Sequence, residues 1–256
     1  MEIKKGYKQA EVGVIPMDWD VKNLLDNFTL KARIGWQGLT TEEYLSTGDY
    51  GLVTGTDFSD GYIDWDNCVY VEKIRYVQDK NIQLKVNDVL VTKDGTIGKV
   101  AFVNKLPNPT TLNSGIFVVR PKNPNIDERF FYYILMSSYF DIFLSKITAG
   151  STITHLYQKD FSTFNFILPP RFEQNAIAQV LSDTDSYINS LEKLIEKKSQ
   201  IKQGAMQELL KPKDGWETKT IKEVATYRRG SFPQPYGLDK WYDDISGFPF
   251  VQVFDV

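Results

Sequence analysis

The chain is short of several things, and each shortage excludes a class of protein. It has one cysteine, Cys68, in 256 residues, so no disulfide forms within it and a reducing, cytoplasmic setting is the default expectation. Its one histidine, His155, has no cysteine close in sequence, so the ligand spacing of a zinc site is missing. No apolar run approaches the roughly 18 residues that a membrane span needs, and Met1–Tyr7 lacks the apolar centre of a signal peptide. No membrane partner is expected. Positive charge is scarce too: 30 Lys and Arg against 33 Asp and Glu give a net charge of -3. A protein that holds DNA unaided through its phosphates is usually basic. Any DNA binding by this chain is therefore expected to be weak unless partners supply positive charge.

Catalytic constellations are equally scarce. Gly95-Thr96-Ile97-Gly98-Lys99 lacks the four-residue gap and the Ser or Thr after the lysine that a phosphate-binding loop requires, so a hairpin connection is the better reading. Leu168-Pro169-Pro170-Arg171 shares only its prolines with the amino-methylase signature. Asp57, Asp60, Asp64 and Asp66 lack the ligand order of a calcium loop and read as a solvated loop. Neither a catalytic residue nor a metal ligand is assigned, and no cofactor is expected in this chain.

What is present reads as an α+β protein. Hydrophobic residues at 42% and charged residues at 25% are ordinary for a globular chain. From Trp19 the apolar residues Val21, Leu24, Leu25 and Phe28 have helical spacing. Short β-like runs follow at 51–54, 68–71, 88–92, 99–103 and 115–119, with a hairpin expected between the third and fourth. Asn125 or Asp127 caps a helix whose apolar side runs from Phe130 to Phe143 and which ends near Gly150. Phe164, Phe166 and Leu168 alternate as in a half-buried strand. The expected divisions are a first domain over 1–171, a long helix over 172–211 and an incomplete second domain over 212–256.

The stretch from Phe172 to about Leu210 has no proline and a single glycine. Ile177, Val180, Thr184, Tyr187, Leu191, Leu194, Ile201 and Ala205 recur in steps of three and four, interrupted by Lys198, and Leu181, Ile188, Ile195 and Leu209 widen the stripe. At 1.5 Å per residue this predicts a helix of roughly 55–60 Å. A coiled-coil spacer and a long core helix both fit; charged residues around the rest of its circumference favour the spacer. Beyond Pro212 the beginning of the chain recurs. Trp216, Lys219 and Ile221 stand 197 positions after Trp19, Lys22 and Leu24, and 248–255 resembles 50–57 at an offset of 198.

Base reading requires side chains with paired donors and acceptors on exposed loops. Lys31, Arg33, Trp36 and Gln37 form one such glycine-punctuated segment, and Arg228 and Arg229 occupy the similar place in the repeat. Ser151, Thr152, Thr154, His155, Tyr157, Gln158 and Lys159 form a second, suited to phosphates. Lys93 lies on the hairpin.

Several motifs, in order, resemble the specificity subunits of type I restriction-modification enzymes. They are Tyr7-Lys8-Gln9 through Gly13-Val14-Ile15-Pro16-Met17-Asp18-Trp19, Asp88 through Lys99, Gly150 through Leu156, Leu168-Pro169-Pro170 with Glu173-Gln174, and Lys202 through Leu210. The resemblance implies two target-recognition domains, each reading half of a split duplex DNA sequence, spaced by two antiparallel helices. It implies partner modification subunits that methylate adenine with S-adenosylmethionine, and restriction subunits that use ATP and Mg²⁺. The helix positions Ile177, Val180, Leu181, Tyr187, Ile188, Leu191, Leu194, Ile195 and Ile201 are then the partner-facing stripe, and a homodimer through that helix is a further expectation. Most of a second domain and a second helix are missing from the pattern. Two other functions compete: a stand-alone nuclease or methylase, which S-adenosylmethionine binding by the chain would favour, and an assembly scaffold, which fails to bind DNA even with its partners.

Overall fold

A computed structural model describes residues 3–148 and 155–226, with the backbone alone at Trp36. The chain opens with a hairpin, β1 (Tyr7–Ala10) and β2 (Gly13–Pro16). Then come β3 (Asp20–Asn23), the single turn α1 (Leu24–Asn27) and β4 (Phe28–Lys31). Short strands follow: β5 (Gly51–Val53), β6 (Phe58–Ser59), β7 (Tyr62–Ile63) and β8 (Val69–Tyr70). After α2 (Lys73–Val77) come β9 (Val89–Thr92), β10 (Val100–Phe102), β11 (Thr110–Leu112) and β12 (Ile116–Pro121). The described part closes with α3 (Glu128–Leu135), α4 (Ser138–Thr148), α5 (Gln158–Phe161), β13 (Asn165–Leu168), α6 (Arg171–Leu209) and α7 (Ile221–Val224). The chain divides into two units, Met1–Leu194 and Ile195–Val256.

The centre of the first unit is a six-stranded sheet in the order β4-β12-β9-β10-β7-β6, antiparallel except where β10 meets β7. Its middle strands are apolar except at Thr92 and Arg120 near their ends, because both faces are covered. Val89, Val91, Phe117, Val119, Val100 and Phe102 pack with α3, α5 and β13. Leu90, Ile116, Val118 and Ala101 turn the other way, towards Val53, Ile82, Leu84 and Leu112. The expected hairpin joins β9 to β10, with Lys99 N–H donating to Thr92 Oγ1 at 2.9 Å. Gly98 has a φ of +79°, and a side chain there would run into Leu144.

Two sequence expectations give way to tertiary structure. The apolar spacing from Trp19 does not make a helix beyond one turn. Asn23 caps that turn by accepting from Leu25 N–H at 2.9 Å, and the chain becomes extended at Phe28, where β4 pairs with β12. Leu24 and Phe28 are both fully buried, so an i, i+4 pair served a turn and a strand instead of a helix face. The helix after Asp127 is also two helices. Asp127 caps α3 through Phe130 N–H, but the Ser137 hydroxyl donates back to the Ile134 carbonyl at 2.6 Å, and α4 begins afresh at Ser138.

The long helix is continuous over 39 residues, about 58 Å. Its root is fixed by polar contacts. Trp19 Nε1 donates to Glu173 at 2.8 Å, and buried Gln174 accepts from Asp127 N–H while donating to the Pro169 and Asn125 carbonyls. Farther along, the Tyr133 hydroxyl donates to Asp185 at 2.7 Å. In the second unit, α7 reproduces α1 at an offset of 197. Thr220 stands where Asn23 stands, with a capping box to Glu223, and Ala225 goes extended as Phe28 does. The second repeat block at 248–255 lies outside the described residues.

Candidate nucleic-acid interface

The antiparallel order brings the ends of four strands to one edge of the central sheet: the C-terminal ends of β4 and β9 and the N-terminal ends of β10 and β12. Lys93 and Asp94 follow β9, exposed Lys99 precedes β10, and Ser114 precedes β12. The segment from His155 docks on the same edge, with Leu156 N–H donating to the Lys93 carbonyl at 2.7 Å and Asp94 bridging His155. Leu156 is buried and anchors the segment.

The side chains form a ladder. Lys93 Nζ lies 5.7 Å from the centre of the Phe117 ring and 3.7 Å from Asp94 Oδ2. The other oxygen, Asp94 Oδ1, meets His155 Nδ1. The His155 and Tyr157 rings are 4.6 Å apart, and Lys159 Nζ sits 5.5 Å over the Tyr157 ring. Tyr157 precedes α5, and Gln158 and Lys159 open it, all three exposed. An edge with three lysines, an imidazole and an exposed aromatic offers donors for phosphates and a flat face for a sugar or base. Two of the segments singled out from sequence, the hairpin and 155–159, therefore converge. Ser151, Thr152, Thr154, Arg228 and Arg229 lie outside the described residues.

The segment at 31–37 requires correction. Lys31 is exposed on the edge strand β4. Arg33, expected to read bases, is only 1% exposed. Its Nε donates to the Leu112 carbonyl at 2.8 Å, Nη1 to Gln78 at 3.2 Å, and Nη2 to Thr111 Oγ1 at 3.1 Å and the Arg75 carbonyl at 3.4 Å. Burial, then the charge of Arg75, holds its pKa below the usual arginine value. Gln37 is 7% exposed, and its Oε1 is buried without a partner among the described residues. Neither side chain is presented to solvent at these positions. The side chain of Trp36 is not among those described. Sequence reasoning also missed Asp94 and Lys99; the Asp-Gly pair was legible only as a turn.

The acidic loop is likewise not uniformly solvated. Asp57 is buried and accepts from Thr54 N–H at 2.7 Å in a capping box. Burial raises its pKa, against the Thr54 hydrogen bonds. The Cys68 thiol is pushed up to about 12 by burial and then by Asp57 and Asp64, so it stays protonated and is no nucleophile.

Along α6, Ile177 packs partly buried against the core, whereas Val180, Tyr187, Leu191, Leu194, Ile195 and Ile201 are exposed. Leu181 and Ile188 border the groove that holds Tyr133 and Asp185. No described helix is long and apolar enough to cross a membrane.

Residues 16–203 match the family model described as type I restriction modification DNA specificity domain. The MjaVIII type I restriction enzyme specificity subunit of Methanocaldococcus jannaschii is 26% identical over 246 residues, covering 90% of this chain and 54% of that one. The MjaIX specificity subunit of the same organism is 28% identical over 194 residues, covering 73% and 42%. The chain thus spans about half the length of these curated relatives. Two solved structures share the fold. The S subunit of a type I restriction-modification system from M. genitalium has a TM-score of 0.52 at 16% identity, over 77% of this chain and 47% of that one. The HsdS subunit from Thermoanaerobacter tengcongensis has a TM-score of 0.51 at 17% identity, over 74% and 43%.

Proposed function

Because the chain belongs to the type I restriction-modification DNA specificity family, we propose that its first domain reads one half of a split duplex site in the cytoplasm and delivers it to partner subunits. Modification subunits would methylate adenine with S-adenosylmethionine, and restriction subunits would supply ATP- and Mg²⁺-dependent cleavage. The divisions proposed are recognition over 1–171, spacing over 172–211 and the start of a second recognition domain over 212–256. The observation that carries the reading is the ladder Lys93–Asp94–His155–Tyr157–Lys159 at one sheet edge of the domain that also roots the long helix.

Two expected outcomes test it. The purified chain, free of partners, should neither methylate nor cleave DNA, since no group of three or more side chains that could hold a metal ion occurs among the described residues. Turnover that co-purifies with this chain through several columns would contradict that. With a net charge of -3, the chain alone should bind duplex DNA no tighter than about micromolar at physiological salt, and far more tightly once modification subunits join. A gel-shift titration with and without them decides this, and nanomolar specific binding by the chain alone would count against it. A scaffold with a vestigial recognition domain would instead show no gain in sequence preference on assembly.

One observation favours a further use of α6. Residues 171–192 carry Glu173, Asp183, Asp185 and Glu192 against Arg171, and residues 193–209 carry Lys193, Lys197, Lys198 and Lys202 against Glu196 and Glu208. The helix dipole acts only within the terminal turns, so it does not account for charges at mid-helix. Such a division suits an antiparallel partner of the same pattern, which a second copy of this chain supplies.

A further inference from the structure

His155 enters the ladder through one nitrogen. Nδ1 meets Asp94 Oδ1, and Nε2 has no partner among the described residues. A carboxylate only accepts, so the proton of a neutral imidazole belongs on Nδ1, and Nε2 is left as a bare acceptor. Asp94 also faces Lys93 through its other oxygen, and Lys159 stands beyond Tyr157, so lysine charge lies on both sides of the imidazole. Phosphate oxygens are acceptors as well, and a bare acceptor has nothing to give them. The donors for phosphates here are Lys93, Lys99 and Lys159. On the floor of the major groove, the groups that donate are the exocyclic amines, adenine N6 and cytosine N4.

We propose that His155 is a base reader that accepts through Nε2 from adenine N6 or cytosine N4, with Asp94 as the positioning residue that fixes its tautomer. The assignment rests on the reading of this chain as a DNA specificity protein. It also divides labour within the ladder: lysines hold the backbone, and the imidazole, one-third exposed between them, discriminates.

The test presents the chain, assembled with modification subunits, with a randomised duplex pool, and reads base preference and the salt dependence of binding. His155→Ala should flatten preference at one position by about tenfold and leave the salt slope unchanged. Asp94→Asn keeps the shape but offers an amide donor to Nδ1, which moves the imidazole proton to Nε2. Preference at the same position should then leave the amino-bearing bases for the acceptor edges of guanine or thymine. A merely structural aspartate would not redirect preference. Lys93→Ala and Lys159→Ala should each lower the salt slope by about one with base preference intact. Melting curves confirm that each variant is folded. If His155→Ala lowers the salt slope and leaves every preference unchanged, the imidazole is a phosphate ligand and the proposal is overturned. It is equally overturned if His155→Ala changes neither. Absence of any base preference in the unmutated complex would instead bring down the functional reading, and this assignment with it.

Discussion

Replacing Arg33 by alanine should cost the first domain about 2–5 kcal/mol of stability, a large part of the roughly 5–15 kcal/mol that holds a domain together. The guanidinium is not paired with a carboxylate; its hydrogen-bond partners are two carbonyls, an amide oxygen and a hydroxyl. Removing it strands the Leu112 carbonyl and the Thr111 hydroxyl in the core, and each unsatisfied group carries its full desolvation cost. It also disconnects α2 from β11, since the Arg75 carbonyl and Gln78 lose their shared donor. Arg33→Lys keeps the charge but not the fork, so only part of the loss should return. Urea denaturation of the three proteins measures this as a fall in midpoint at constant slope. Whatever fraction of Arg33→Ala remains folded should keep the base preference of the parent. A variant of undiminished stability with altered preference would mean that the arginine swings out to the DNA after all.

That reversal for Arg33 shows where sequence reasoning stops. An arginine between a strand and a glycine is compatible with an exposed loop, and nothing local distinguishes it from one whose donors are all spent on distant carbonyls. The partners of Arg33 lie 42 to 79 positions away. Long-range pairing also decided the region from Trp19. Leu24 and Phe28 have a spacing that suits a helix, but β12 supplied a strand partner at Phe28–Lys31, and pairing outweighed a weak local preference. Where patterning and pairing agree, the elements were legible. Val89–Val91 and Ile116–Val119 are apolar throughout because the sheet is covered on both faces, and the glycine-rich stretch between β9 and β10 could only be a turn. The long helix was legible because its signal is local over many turns. Of the candidate interface, the segments were readable as polar and glycine-punctuated, but their convergence was not. It depends on β9 and the residues before α5 meeting across 61 positions, and on an aspartate whose only sequence signal was the glycine after it.

Leu191→Glu together with Leu194→Glu should abolish helix-mediated association, raising the dissociation constant at least about 100-fold. Both leucines stand exposed on the stripe with Tyr187 and Val180, so glutamate is tolerated by the isolated helix and penalised only where a partner covers it. In an antiparallel pair centred on Leu191, Tyr187 of one copy meets Ile195 of the other. The lysine that interrupts the stripe, Lys198, falls opposite Thr184 and beside Asp183. The seam therefore places its one charged residue against an acidic neighbour, which a parallel pair does not do. Lys198→Glu should weaken association and Asp183→Lys in the same chain should restore it, because a two-fold pair carries both changes at both ends. Light scattering across the micromolar range, at low and high salt, supplies the readout. Association should weaken with salt as the opposed halves are screened, yet persist through its apolar seam. A chain that stays monomeric throughout, or a dimer indifferent to both leucine substitutions, would rule out pairing of two copies through this helix. A dimer that loses association with Lys198→Glu but gains nothing from Asp183→Lys would retain the helix as the contact and reject the antiparallel register.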